Sequence, residues 1–513
     1  MSNDISQNNK RIAKNTMLLY FRTFITMIVG LYTSRVMLQA LGIENYGINA
    51  AIGGIVGMSS ILTVAMSVAI SRYITFALGK GDESQLKQMF STSINAQILL
   101  SVVIALILEI IGVWFLNSEA NIPVERLYAA NWVLQCSIVS LAISLISSPF
   151  NATIVAHERM SAFAYVSIAE AILRLVVCFI IQIYNGDRLI LFAILQIFVA
   201  IVIQSFYAIY CKRNFSEATY HLRTFDKGLL KELTVFSSWT ILNSGAWTFS
   251  TQGVNMLINV FFGVTYNASR NIATTVNGAV QSFVGNFTTA FSPQITKSYA
   301  IGNIEYAVLL VNRATKFTLL LMYIFVVPVC MEAEMILHLW LGDNVPTLAP
   351  LFLRLAMFES LTVTSGSNLL KLVQANGNIK RYSIDTALYA GMVFPICWGA
   401  FRLGAPVWAS YVIFIIIFFT QNFIRYANVK RLMHFSVKQH FKDCLWPFMK
   451  VAIMSFTLPI CISYLLEGGI IRFLIISGIS ISWTILCCYI LGLSKNEKQF
   501  LLSKIKSLTN RLG

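Results

Sequence analysis

The sequence predicts an all-α integral membrane protein, and three observations carry that reading. The 513 residues are 57% hydrophobic and only 12% charged, against about 25% charged in a soluble domain, which is too few charges to cover a water-facing surface. Stretches of the roughly 20 mostly apolar residues that a spanning helix needs recur along the whole chain. The basic residues are shared unevenly between alternate loops. Because the apolar runs are continuous and not alternating, helices and not barrel strands would satisfy the backbone in lipid.

About 14 transmembrane helices are expected, at 17–38, 46–70, 91–115, 128–154, 163–184, 188–211, 235–262, 271–295, 315–340, 348–373, 384–402, 406–428, 446–466 and 470–493. Lys10, Arg11 and Lys14 precede the first span in the manner of a signal peptide. The apolar stretch behind them is long and has no small-residue cleavage site, so it reads as an uncleaved helix. Gln135, Ser147 and Ser148 interrupt the fourth span, and Arg354 and Glu359 the tenth. Pro149, Pro293, Pro328 and Pro395 fall where they would bend helices.

Of the 38 basic residues, the external loops would hold only Arg126, Arg188, Arg270, Arg402 and Arg472. Arg22, Arg35, Arg174 and Arg354 lie within spans, and the remainder are cytoplasmic. This is the positive-inside pattern. It places both termini in the cytoplasm and calls for an even number of spans. A net charge of +16 spread in this way belongs to topology, so no nucleic-acid partner is expected.

The connections are short, the longest external one running about 116–127. The longest internal one, 212–234, is charged and ends in Leu229-Leu230-Lys231-Glu232-Leu233, an amphipathic turn suited to the membrane surface. It reads as a cytoplasmic linker between an N-lobe, 1–211 (helices 1–6), and a C-lobe, 235–428 (helices 7–12). Helices 13 and 14 follow over 429–493, then a basic amphipathic cytoplasmic tail over 494–513, with Phe500, Leu501, Ile505, Leu508 and Leu512 near helical spacing. A repeat supports the lobes. Shifting 42–81 by 221 positions places Gly42 on Gly263, Gly57 on Gly278, Ala69 on Ala290, Ser71 on Ser292, Ile74 on Ile295, Thr75 on Thr296 and Gly81 on Gly302. It joins helices six apart, so both lobes keep one orientation and a pseudo-two-fold axis would run along the membrane normal, with a site between them.

Several chemistries lack their residues. Gly79-Lys80 has Ile74 where a phosphate-binding loop needs glycine. His157, His221, His338, His434 and His440 lack metal-ligand spacing, so no metal or other cofactor is expected. The nine cysteines form no CxxC pair and read as packing residues. No catalytic constellation is recognisable, and the chain is not expected to be an enzyme.

The informative residues are charges inside spans, each a site candidate because a charge at the bilayer centre costs about 2.5–3.5 kcal/mol on insertion scales. They are Arg22 and Arg35, Glu109, Glu170 with Arg174 one turn later, and Arg354 with Glu359. Each has a plainer reading. Arg35 would snorkel to headgroups, Glu170 and Arg174 would neutralise each other, and Arg354 would pair with Glu359 or a headgroup. Arg270, at the head of the eighth span, faces a site's mouth or anchors a helix end. Amides crowd the seventh and eighth spans: Asn243, Gln252, Asn255, Asn259, Asn277, Gln281 and Asn286. They would face other helices or a wet cavity.

Certain motifs carry a family resemblance. Leu41-Gly42-Ile43-Glu44-Asn45-Tyr46-Gly47 resembles the Leu-Gly-x-x-x-Tyr-Gly signature of polysaccharide exporters. Ala69-Ile70-Ser71-Arg72-Tyr73, followed by Gly79-Lys80-Gly81-Asp82, looks like their second-span ending and inner loop. The run Pro149 to Met160, and Trp340-Leu341-Gly342, fit as well. Together these resemble the polysaccharide transport (O-antigen and capsule flippase) family of the multidrug/oligosaccharidyl-lipid/polysaccharide exporter superfamily.

The resemblance implies a flippase in the bacterial inner membrane, moving an undecaprenyl-diphosphate-linked oligosaccharide, an O-antigen or capsule repeat, to the periplasmic leaflet by alternating access. Its partners would be the polyprenyl-linked glycan, membrane lipids and glycan polymerase machinery, with the protein itself a monomer. The residues nominated for the substrate cavity are Arg22, Arg35, Arg174, Arg270, Arg354, Asn255, Asn259, Asn277 and Gln281, and for ion coupling Glu170 and Glu359. A multidrug or peptidoglycan-precursor exporter of the same superfamily and a membrane-embedded glycan polymerase or ligase stand as alternatives. The last would want a larger external loop than this chain has.

Overall fold

The computed structural model describes residues 2–118, 123–220, 226–262, 264–342 and 345–499. The expected tail lies outside the described residues from 500 onward. The helices are α1 (Ser2–Met58), α2 (Ser60–Lys80), α3 (Glu83–Ser118), α4 (Val124–Ala156), α5 (Met160–Ile183), α6 (Arg188–Asn214), α7 (Lys227–Phe262), α8 (Val264–Ala300), α9 (Ile304–Met331), α10 (Ala333–Leu341), α11 (Ala349–Ser367), α12 (Leu369–Asn376), α13 (Lys380–Arg402), α14 (Ala409–Leu432), α15 (Val437–His440), α16 (Trp446–Ser455), α17 (Thr457–Ser463) and α18 (Ile470–Cys487).

Among the described residues, ten helical stretches are long and apolar enough to cross a membrane. They make the chain a multi-pass, all-α membrane protein. The expected spans at 17–38, 235–262, 271–295 and 348–373 are helical too, within α1, α7, α8 and α11–α12, but are not among the ten. These are the segments in which the sequence concentrates Arg22, Arg35, the amides, Arg354 and Glu359. On α3, Val103, Leu106, Ile107, Ile110 and Trp114 are all exposed and share one face. Such a stripe suits a helix face turned to lipid. Pro149, Pro293, Pro328 and Pro395 all sit inside helices, in α4, α8, α9 and α13.

The chain divides into two compact units. The first comprises Met1–Ile241 with Ser292–Asn303, and the second Leu242–Phe291 with Ile304–Gly513. In the first unit α1 packs on α5, and α4 on α3 and α6, around a core that includes Phe90, Ile181, Val199 and Ile203. At its predicted external end α1 breaks at Gly42, with φ 77° and ψ 166°, a backbone region nearly closed to residues with a Cβ. The break is pinned from outside the helix. Arg126 bonds Asn45 Oδ1 from Nε at 3.0 Å and Asp187 Oδ2 from Nη1 at 2.9 Å, and Arg188 Nη1 donates to Ala40 O at 3.2 Å.

The predicted cytoplasmic end is held by its connections. The His157 ring stacks on Phe215 at 4.1 Å, and its Nε2 bonds the Glu217 carboxylate. Lys297 Nζ and Gln294 Nε2 donate to Glu158 at 3.1 and 2.6 Å. Asp226 accepts from Gln88 Nε2 at 3.0 Å and caps α7 through the N–H groups of Gly228 and Leu229. The segments matched by the repeat share local conformation. Gly81 and Gly302 both end helices at positive φ, 73° and 81°, and Thr75 and Thr296 each donate to the carbonyl four residues back, at Ser71 and Ser292.

The second unit has one broad core drawn from α9, α11, α13, α14 and the C-terminal helices, with Phe352, Met357, Tyr411 and Phe414 at its centre. Its charged ends are tied by Arg472 to Glu332 at 3.2 Å and by buried Lys316 to Glu497 at 2.6 Å.

Replacing Gly42 with Ala is expected to lower stability by about 1–3 kcal/mol, the cost of that backbone region for a residue with a Cβ, read as a drop in the thermal unfolding midpoint in detergent. A pH dependence follows from Glu217. Burial raises its carboxyl pKa, but the His157 bond and backbone hydrogen bonding outweigh burial and leave it below its ordinary 4.5. The stabilisation is therefore complete above pH 4.5 and lost as pH falls through the lower folded value. The difference in unfolding midpoint between wild type and Glu217→Gln should shrink as pH falls through that acidic window.

Candidate functional site

A cavity of about 790 Å³ opens inside the first unit, walled by α1, α4, α5 and α6. Helical spacing decides what each wall shows. From α1 come Arg22, Thr26, Gly30, Thr33 and Met37, three or four residues apart, with Asn49 beyond the Gly42 break. From α4 come Ser137, Ser140 and Ser144, from α5 Ser167, Glu170 and Arg174, and from α6 Gln196 and Gln204. Helices with apolar outer faces thus turn hydroxyls, amides and charges onto one shared space.

Arg174 Nη2 meets Glu170 Oε1 at 2.7 Å, one turn apart on α5. The Arg22 guanidinium carbon lies 4.8 Å from the centroid of the Phe163 ring, a cation–π contact that orients it. Ser140 Oγ is buried with no hydrogen-bond partner among the described residues. Two guanidiniums and one carboxylate therefore line the space, giving it a net cationic wall with hydrogen-bonding groups for an anionic, hydroxyl-rich ligand.

Of the nominated residues, the structure brings together Arg22, Arg174 and Glu170. The side chains of Arg35 and Asn259 lie outside the described residues. The others belong to the second unit. Arg270 is buried, with its guanidinium 4.9 Å from the Tyr411 ring and 5.3 Å from the Phe414 ring, and donates to Ser410 Oγ at 3.4 Å. Glu359 on α11 interacts electrostatically with it. Arg354 does not pair with Glu359. It donates to Cys330 O at 2.9 Å and meets Glu334 at 3.4 Å. Asn277 accepts from Ser360 at 2.8 Å, Asn255 donates to Gln252 at 3.1 Å, and Gln281 lies half-buried on α8. Glu109, also singled out within a span, accepts from Gln135 Nε2 at 2.8 Å.

Sequence reasoning passed over the serines, threonines and glutamines of the wall, and a signal for them was present. Thr26 and Thr33 extend the Arg22 face of α1, and Ser137, Ser140 and Ser144 repeat at helical spacing.

By fold the chain is similar to membrane transporters. The crystal structure of MATE in the straight conformation matches with a TM-score of 0.71 at 15% identity, over 83% of this chain and 97% of that one. An outward-facing multidrug resistance MATE family transporter of the MOP superfamily matches with 0.69 at 16%, over 83% and 96%. A MOP superfamily transporter from Pyrococcus furiosus, whose binding pocket has reverse polarity, matches with 0.70 at 15%, over 83% and 96%. The model of the family described as "Polysaccharide biosynthesis protein" matches residues 12–299, and the chain belongs to that family. The uncharacterized membrane protein EpsK of Bacillus subtilis (strain 168) is 21% identical over 334 residues, 64% of this chain and 65% of that protein. The chain thus spans just under two thirds of that relative's length.

Gly30 offers a test of the cavity itself, since a Cβ there meets nothing within 4 Å. A cysteine at Ser144 should react with a small water-soluble maleimide. Gly30→Phe in the same chain should slow that reaction strongly while leaving the unfolding midpoint near that of the parent.

Proposed function

We propose that the protein is a flippase in the bacterial inner membrane, with both termini cytoplasmic, that moves an undecaprenyl-diphosphate-linked oligosaccharide from the cytoplasmic to the periplasmic leaflet by alternating access. The cargo is an O-antigen or capsule repeat unit. The observation that carries this reading is the cavity with Arg22 and the Arg174–Glu170 pair set among hydroxyls and amides. Its volume lies within the roughly 300–1,000 Å³ of small-molecule sites. Guanidinium is the side chain best matched to phosphate oxygens, and the serines, threonines and glutamines match sugar hydroxyls. The polyprenyl chain remains in the bilayer, where it has no reason to enter a polar space.

Membership of the polysaccharide biosynthesis family supports a glycan cargo. The net cationic wall disfavours the cationic drugs that a multidrug exporter of the same fold would carry. An inside-negative potential favours outward movement of an anion by about 2.3 kcal/mol per charge per 100 mV, so direction has a source without nucleotide. Glu170, already engaged with Arg174, is where ion coupling would enter this site; Glu359, beside Arg270, is the candidate in the second unit.

Deleting the gene should remove surface polymer and cause the complete lipid-linked repeat to accumulate, identified by mass spectrometry of extracted lipids. Arg22→Ala at equal protein level should weaken handling of the cargo about 10- to 100-fold, the range for losing a charge-assisted hydrogen bond. Unchanged polymer in that variant would rule out Arg22 as a binding group. Continued polymer after deletion, with no intermediate, would move drug export to first place.

A further inference from the structure

A second polar cavity of about 460 Å³ lies at the predicted cytoplasmic end of the first unit, lined by Asn15, His157, Glu158, Arg159, Ser161 and Lys297 among others. It is built on the α4–α5 connection. Glu158 sits there at φ 60°, the one non-glycine at positive φ among the described residues. Its carboxylate is 1% exposed and is held by Lys297 and Gln294. Glu158 and Arg159 line the cavity together, the acid buried and the guanidinium exposed. His157 is fixed on its far side by Phe215 and Glu217.

Beside the engaged Glu158 and His157, the lining also offers donors. Arg159 is exposed and has no carboxylate partner among the described residues. Asn15 lines the cavity at 7% exposure. Its amide carries N–H groups that can donate to a ligand there. Ser161 stands in the first turn of α5, which no side chain caps. The Arg159 guanidinium, the remaining N–H groups of the Lys297 ammonium, an amide and a hydroxyl around one space suit a phosphate anion.

The position on α1 connects this cavity to the first one. Asn15 and Leu18 line the small cavity, and Arg22 and Thr26 the large one, all on a single helix face. Asn15 and Arg22 are seven residues apart, about 10 Å along the helix. We propose that the Arg159 cavity is a phosphate site that takes the diphosphate of the lipid-linked glycan at the cytoplasmic surface, before it reaches Arg22 and Arg174. The assignment of that cargo rests on the flippase reading; the phosphate site itself does not.

The test uses purified full-length protein in nanodiscs of phosphatidylcholine, with inorganic pyrophosphate as the probe and binding read by equilibrium dialysis. Arg159→Gln is expected to weaken binding about tenfold or more, Arg159→Lys to recover part of it, and Arg402→Gln, at the predicted external end, to change nothing. Asn15→Ala, which leaves the connection intact, should also weaken binding. Wild-type affinity in both Arg159→Gln and Asn15→Ala would overturn the site. Repeating the measurement in phosphatidylglycerol nanodiscs separates the two sources of phosphate. Binding that persists there supports the substrate diphosphate. Competition by the anionic lipid that Arg159→Gln abolishes would assign the site to bilayer headgroups and overturn the cargo assignment. If deletion accumulates no lipid-linked glycan, the flippase reading falls and takes that assignment with it, whatever pyrophosphate does. If glycan accumulates on deletion while Arg159→Gln still binds pyrophosphate and assembles polymer normally, this site alone fails.

Discussion

In a bilayer no water is present to satisfy a polar group, and this single constraint organises the chain. It makes every spanning segment a helix, because only a helix closes its own backbone hydrogen bonds. It also forces each polar side chain within a span to find a protein partner or an internal wet space. Glu109 finds Gln135, Arg354 finds the Cys330 carbonyl, and Arg270 finds two aromatic faces and a serine. Those contacts account for their residues without a ligand. Arg22, Glu170 and Arg174 differ in that their surroundings include an open volume shared with a dozen polar and small side chains.

The same constraint explains why the recognisable motifs lie at helix ends. There the backbone leaves the helix and needs special residues. Gly42 takes a conformation that a Cβ would obstruct, and Asn45, three residues on, receives the arginine that ties the break to the neighbouring connections. Gly81 ends α2 in the left-handed region, and Asp82 then accepts from the Gln85 N–H to start α3. The Pro149-to-Met160 run ends in a connection whose three charged or titratable residues differ in their surroundings. His157 lies against Phe215 and Glu217, Glu158 is buried against Lys297, and Arg159 is exposed and lines the smaller cavity. At Gly42 and Gly81 the backbone itself requires the residue, whatever the cargo.

The helix ends matched by the 221-residue repeat share their caps as well. A left-handed glycine and a threonine bonded back to a serine carbonyl occur at both places. Identity at those positions therefore reflects how a membrane helix stops.

Much of this was legible in the sequence. Hydropathy alone separates spans from loops, because a span of apolar residues has no other stable place than lipid. Charge asymmetry predicts which loops face the cytoplasm, and periodicity along α1 and α4 already groups Arg22 with Thr26 and Ser137 with Ser140 and Ser144. Sequence could not say which of many in-span polar residues share one space. Arg22, Arg174 and Arg354 look alike in a string of letters, yet the first two border a cavity and the third is bonded to a carbonyl and Glu334. The difference depends on the rotation of each helix against its neighbours, which is set by packing over whole faces. Tertiary structure alone decided that Glu158 is buried and Arg159 exposed, because a backbone at φ 60° must be held there by contacts distant in sequence, here Gln294 and Lys297.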